Sequence, residues 1–293
     1  MTKIAIYVVV AVVALGIVAA LRIAVSNYRG ERSDFERSPA AQASRHPELT
    51  GIPDLHEISF AAPNEPSVAA WYAPSRNRAA IILVHGTGAD RSSLLAETRI
   101  LAAAGFGVLA LDIPGQGASG GRTLWGVPER HAISAAVEWL SHRAEVDPQR
   151  IGGFGLSMGA YVLTQTAVSD KRIRAVVLVG CPNDVVEQNW VTSAKWGWLS
   201  QWPTYWALRA SGMPLDLLPK NIIGGISPRA VLIIGGTLDQ VVPSYMARQL
   251  YDAAGSPKEI WIAPGANHTD YAVVLPQEYR NRLVGFFSRT LLD

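Results

Sequence analysis

A single cysteine, Cys181, stands among 293 residues. One thiol cannot close an internal disulfide, and with no partner nearby it cannot build a thiolate metal site. Cys181 follows an apolar run and reads as a small packing residue. Charge of one sign is equally short: 26 Lys and Arg against 24 Asp and Glu leave a formal +2. The basic residues form no cluster beyond the first ~55 positions, which removes support for nucleic-acid binding. The six histidines are scattered, so no metal-ligand spacing is present and no metal is implied. Gly152-x-x-Gly155 is followed by no Lys-Ser/Thr pair, which excludes a phosphate-cradling nucleotide loop. No internal repeat is visible, and no cofactor is implied.

Apolar residues, at 49%, are abundant. Much of the surplus lies in Ile4 to Leu21, an uncharged run between Lys3 and Arg22. Its length approaches the ~20 residues a helix needs to cross a bilayer. A signal peptide has a shorter apolar core, about 7–15 residues, so residues 1–25 read as an uncleaved membrane anchor, with cleavage near Ala20 or Ser26 as the alternative. Arg22, Arg29, Arg32 and Arg37 outweigh Lys3, whereas a short N-terminal tail often stays inside, so the side of the membrane stays open. Residues 26–55 mix charge with Ser, Pro and Ala without apolar period, the composition of an exposed linker.

From His56 onward, apolar runs alternate with amphipathic segments. Strands are expected at 56–60, 68–72, 79–84, 107–111, 151–154, 174–179, 230–234 and 259–262. Pro63-Asn64-Glu65-Pro66 is expected to turn between the first two. Helices are expected at about 93–104, 128–142, 244–253 and 278–292. Near-continuous apolar strands of this kind belong to an α/β fold, a mostly parallel sheet covered by helices on both faces. Ligand sites in such sheets lie beyond the carboxyl ends of the strands. About 183–225 interrupts the alternation with Trp190, Trp196, Trp198, Trp202, Tyr205 and Trp206. It reads as an insertion that packs as a cap, roofs an apolar pocket, or dips into a bilayer interface.

Gly155-Leu156-Ser157-Met158-Gly159 sits between a buried strand and a helix start. A glycine on each side of a serine at that junction is the G-x-S-x-G elbow, in which a strained turn lifts the serine hydroxyl beyond the strand end. The same turn leaves the Met158 N–H free at a helix N-terminus, where an anion is favoured. An ordinary turn with a capping serine gives the same five residues. A serine needs a base, and the base a carboxylate to hold its tautomer. Of the histidines, His85 and His268 leave the carboxyl edge of the expected sheet. His46 and His56 lie in or beside the linker, and His131 and His142 in a helix. Asp239, on the loop after 230–234, is the first candidate acid. Asp270 is second, since residues so close to His268 on one tight loop rarely face each other.

These residues carry a resemblance. From about His56 to the C-terminus the chain resembles the α/β-hydrolase superfamily. The shared features are the Ser157 elbow, His85-Gly86-Thr87-Gly88, Asp112 to Ser119, the Asp239 loop and the His268 loop, in that family's order. It looks similar to the dienelactone-hydrolase and serine-aminopeptidase-like groups. The resemblance implies a Ser157–His268–Asp239 triad, with the backbone N–H groups of Thr87 and Met158 as oxyanion hole. It implies for His85 a loop-bracing role and for Asp112 to Ser119 a structural one. The 183–225 insertion falls where that family carries its cap. The expected activity is hydrolysis of carboxylic esters or thioesters, with a small-molecule or lipid-like ester as substrate. An amidase or peptidase with the same triad, and a binding protein on a hydrolase scaffold, are the alternatives.

Overall fold

The computed structural model describes residues 14–16, 18, 50–193 and 213–293. The run Ile4 to Leu21 and the stretch 26–55 fall mostly outside these residues, as do Trp196, Trp198, Trp202, Tyr205 and Trp206 of the insertion. Among the described residues, no helix is long and apolar enough to cross a membrane.

Ala80–Val84 contains no polar residue because both its faces are covered. Side chains alternate across a strand. Ala80, Ile82 and Val84 enter one core, and Ile81 and Leu83 enter a second on the far side. The same division runs along Ile173–Val179, where Val176 and Leu178 face one core and Ala175, Val177 and Val179 the other.

In chain order the elements are β1 (His56–Ala62), β2 (Glu65–Ala73), β3 (Ala80–Val84), α1 (Leu95–Ala103), β4 (Gly107–Leu111), α2 (Val127–Ser141) and β5 (Ile151–Leu156). They continue as α3 (Met158–Ser169), β6 (Ile173–Val179), α4 (Val185–Ser193), β7 (Ala230–Gly236), α5 (Ser244–Ala253), β8 (Lys258–Ala263) and α6 (Pro276–Leu291). The strands form one eight-stranded sheet in the order β1-β2-β4-β3-β5-β6-β7-β8. Only the pairings β1–β2 and β2–β4 are antiparallel. The other five are parallel, which places the carboxyl ends of β3 to β8 on one edge. Helices α2, α3 and α5 fill one face and α1 and α6 the other.

Local chemistry moved several expected boundaries. The β1–β2 connection is two residues: Ala62 pairs with Glu65, and Asn64 takes the left-handed conformation at φ 60°. Asparagine tolerates that region, and Pro63 presets the φ before it. The helix expected from Ser93 begins instead with a tight turn, Arg91–Leu94. The Asp90 carboxylate accepts from the Ser92 amide at 2.8 Å, which holds that turn closed. The last residues of the stretch read as an exposed linker are part of the packing. Ile52 and Leu55 are buried in the second core, and the Arg99 guanidinium donates to the Thr50 carbonyl.

Candidate active site

Ser157 follows the last residue of β5 and precedes the first of α3. Its φ of 54° and ψ of −121° lie in a region that side-chain-bearing residues avoid, so the turn is strained. Two neighbours make the turn possible. A β-carbon on Gly155 would stand 2.5 Å from the Ala160 backbone, and one on Gly159 would stand 2.0 Å from the Val84 carbonyl. The turn is pinned by the Ser157 amide, which donates to the Val179 carbonyl at 2.8 Å, and by the Tyr161 amide, which donates to the Ser157 carbonyl at 3.1 Å.

Two further loops arrive from β7 and β8. They are joined to each other by backbone bonds: the Thr237 amide donates to Ala263 at 3.0 Å and the Leu238 amide to Ala266 at 2.9 Å. The Gly265 amide donates to the Thr237 hydroxyl at 2.8 Å. Asp239 is buried on the first loop. Its Oδ1 accepts from the amides of Val241 at 2.9 Å and Val242 at 2.7 Å. Its Oδ2 lies 2.8 Å from His268 Nδ1. A carboxylate only accepts, so Nδ1 donates the proton of that bond, and in the neutral ring Nε2 is the acceptor. Nε2 then accepts from the Ser157 hydroxyl at 2.9 Å. The fold thus brings three residues from three loops into one chain of hydrogen bonds: Ser157 O–H to His268, and His268 N–H to Asp239. The His268 side chain is 15% exposed and that of Asp239 0%, so the imidazole reaches the surface and the carboxylate does not.

Asp270 is turned to another task. Its Oδ1 accepts from the Asn267 amide at 2.7 Å, and the Asn267 side chain accepts from the His268 amide at 2.9 Å. It shapes the loop that carries the imidazole.

Thr87 and Met158 meet across the elbow, the Thr87 hydroxyl donating to the Met158 sulfur at 3.4 Å. Met158 is buried at the first position of α3, with Ser157 as its N-cap. A first-turn amide of a helix has no carbonyl one turn back to bond. The loop carrying Thr87 is braced from below. His85 is fully buried, and its Nδ1–H donates to the Gly86 carbonyl at 2.8 Å. Its Nε2 accepts from the Ile113 amide at 3.1 Å, so both nitrogens are committed in the neutral ring. Burial pulls the His85 pKa below its ordinary 6.5.

Asp112 accepts from the backbone of Arg91 and Ala118 at 2.7 Å each and from the Arg91 guanidinium at 2.8 Å. Arg91 also pairs with Glu57. Asp112 is therefore a buried anchor that ties the Arg91 and Ala118 backbones together.

Sequence reasoning held Gln116 within the structural stretch Asp112 to Ser119 without its contact, and missed Trp125. Gln116 Oε1 accepts from the Gly88 amide at 2.7 Å, and its amide donates to Thr123 at 3.1 Å, so it fixes the loop beside Thr87. Its partner lies 28 positions away, and no local pattern announces it. Trp125 stacks edge-on with Tyr161 at 5.5 Å, one turn along α3 from Ser157. Its φ of 57° is held by Glu129, whose carboxylate accepts from the amides of Leu124, Trp125 and Gly126. Cys181 is buried, with its thiol pKa raised by burial. Among the described residues, no group of three His, Cys, Asp or Glu side chains is placed to hold a metal ion.

Comparison with known proteins follows the same lines. Residues 75–219 match the family described as serine aminopeptidase, S33. An uncharacterized protein of Mycobacterium tuberculosis, Rv2307c, is 31% identical over 212 residues, covering 69% of this chain and 68% of that one. The uncharacterized protein YfhR of Escherichia coli K12 is 28% identical over 249 residues, covering 80% of this chain and 81% of its own. Among solved structures, the Pyrococcus furiosus esterase Pf2001 superposes with a TM-score of 0.71 at 22% identity. That superposition covers 84% of this chain and 94% of the esterase, a likeness of fold.

Proposed function

The chain belongs to the α/β-hydrolase superfamily, and from that membership we propose that it is a serine hydrolase that cleaves carboxylic esters or thioesters with an apolar acyl part. The observation that carries this reading is the pair of hydrogen bonds from Ser157 Oγ to His268 Nε2 at 2.9 Å and from His268 Nδ1 to Asp239 Oδ2 at 2.8 Å.

As the Ser157 oxygen bonds to the substrate carbonyl carbon, its proton passes to His268 Nε2. Asp239 holds the proton on Nδ1 and stabilises the imidazolium that forms. The carbonyl oxygen becomes an oxyanion between the amides of Thr87 and Met158, at the positive end of α3. Collapse of this intermediate breaks the bond to the leaving oxygen or sulfur, which takes the proton from Nε2. Water, deprotonated by the same nitrogen, then attacks the acyl carbon and releases the acid and Ser157. Removing one donor of such a hole costs about 10²–10³ in rate, so the two amides matter on the same scale as the base.

Support for an apolar acyl part comes from the aromatic stretch 183–225 and from the run Ile4 to Leu21, which reads as a membrane anchor beside lipid-like substrates. A second reading, amide or peptide hydrolysis with the same residues, is favoured by the description of the matching family. Turnover of p-nitrophenyl acyl esters of graded chain length, set against aminoacyl p-nitroanilides, separates the two. The ester reading expects kcat/KM to rise with acyl length and anilides to be poor. A clear anilide preference overturns it.

A further inference from the structure

Opposite the Ser157 edge, at the amino ends of β6 and β7, lies an open cleft of about 500 Å³. Three of its lining residues are cations, Lys171, Arg174 and Arg229; two carry hydroxyls, Ser227 and Thr290; none is an acid. β6 is seven residues long, so at ~3.3 Å per residue the cleft is about 20 Å from the catalytic loops.

Arg229 is 8% exposed and fixed in place. Its Nε donates to the Ile226 carbonyl at 3.1 Å, one terminal nitrogen to Ile173 at 2.8 Å and Asp170 at 3.2 Å, and the other to Ala167 at 2.6 Å. Four of the five guanidinium N–H groups are thus committed, all to carbonyls. Carbonyls orient the charge but do not cancel it. Arg174, exposed on β6, makes no hydrogen bond or ion pair among the described residues. Lys171 gives one N–H to the Gly225 carbonyl at 3.2 Å. The Asp170 carboxylate, whose charge is felt at Arg229, is itself paired with Arg172. Burial, and after it the charge of Arg174, lowers the Arg229 pKa, while the Asp170 carboxylate acts in the opposite sense.

We propose that this cleft is an anion site, separate from the catalytic edge, that binds a phosphate group carried by a small soluble ester or by an anionic lipid headgroup. A phosphate presents several strong acceptors to guanidinium and ammonium donors, and each such charge-assisted bond is shorter and stronger than a neutral one. The volume lies within the range of about 300–1,000 Å³ typical of small-molecule sites. The inference does not depend on the reading of Ser157.

The test is calorimetric titration of the full chain with inorganic phosphate and with glycerol 3-phosphate. It is joined by sedimentation with phosphatidylcholine vesicles that contain or lack phosphatidylglycerol. All are repeated on Lys171→Ala/Arg174→Ala, with Arg229 kept because its bonds hold the α3–β6 turn. Binding of either phosphate, weakened at least tenfold in the double variant at unchanged Tm, supports the site with a soluble ligand. A preference for phosphatidylglycerol vesicles that disappears in the variant, without phosphate binding, supports a lipid headgroup. No binding in any arm, or binding equal in wild type and variant, overturns the proposal. Should the double variant lose its fold, Arg174→Gln, a change at an exposed side chain, makes the same comparison.

Discussion

The Val84 carbonyl oxygen stands 2.0 Å from the point where a β-carbon on Gly159 would sit. Backbone on both sides leaves no flexible neighbour to yield, so α3 can approach β3 only over a glycine. Gly159→Ala is expected to cost about 3 kcal/mol or more, the upper range for overpacking a well-filled site. Urea denaturation of the purified variant measures it; a loss below about 1 kcal/mol shows that the helix shifts freely.

A subtler glycine lies behind the imidazole. A β-carbon on Gly180, whose φ is 52°, would approach the His268 ring to 3.1 Å. Gly180→Ala should push the ring away from Ser157 by a few tenths of an ångström and strain its own backbone. Misplacement approaching 1 Å can cost about a hundredfold, so kcat is expected to fall about tenfold to a hundredfold with KM little changed. Steady-state kinetics on one p-nitrophenyl ester checks the split; a rise in KM alone would assign Gly180 to substrate binding.

Asp239→Asn keeps an oxygen for the Val241 and Val242 amides but presents an N–H toward His268 Nδ1. The imidazole must then carry its proton on Nε2, where it cannot accept from Ser157. A drop in kcat of about 10⁴ is expected, with the fold retained. Circular dichroism and ester turnover, measured together, check both halves.

His85 gives the fold a pH dependence of known sign. Its native pKa lies below 6.5 because burial disfavours the charged ring. Below 6.5 the unfolded chain therefore binds more protons than the native one, and stability falls as pH drops until the native ring itself is protonated. The slope reaches at most about 1.4 kcal/mol per pH unit for one group. His85→Gln, which can still accept from Ile113, is expected to flatten the wild-type slope between pH 6.5 and 5 in urea denaturation. Parallel slopes would remove His85 from the account.

The strands were readable because a buried parallel strand shows as an unbroken apolar run. Ala80–Val84 and Gly107–Leu111 stand within a residue of their expected bounds. That Ser157, Asp239 and His268 meet at one edge was expected for a related reason: each lies on a loop leaving such a run, where chain order and strand direction specify the edge. The supports were not readable. Gln116 reaches Gly88, and Arg91 reaches Asp112 and Glu57, through contacts 28, 21 and 34 positions apart that leave no periodic trace. Ile52, between Gly51 and Pro53, and Leu55, between Asp54 and His56, are single apolar residues without period, so their burial depends on a core that distant elements build.

With its proton directed to His268, the Ser157 hydroxyl is expected to act as a nucleophile. A fluorophosphonate probe followed by intact-mass and peptide analysis measures it directly. One adduct per wild-type chain, located on Ser157, is expected, and none on Ser157→Ala. A folded wild type that takes no probe, or a Ser157→Ala variant labelled as readily as wild type, would contradict it.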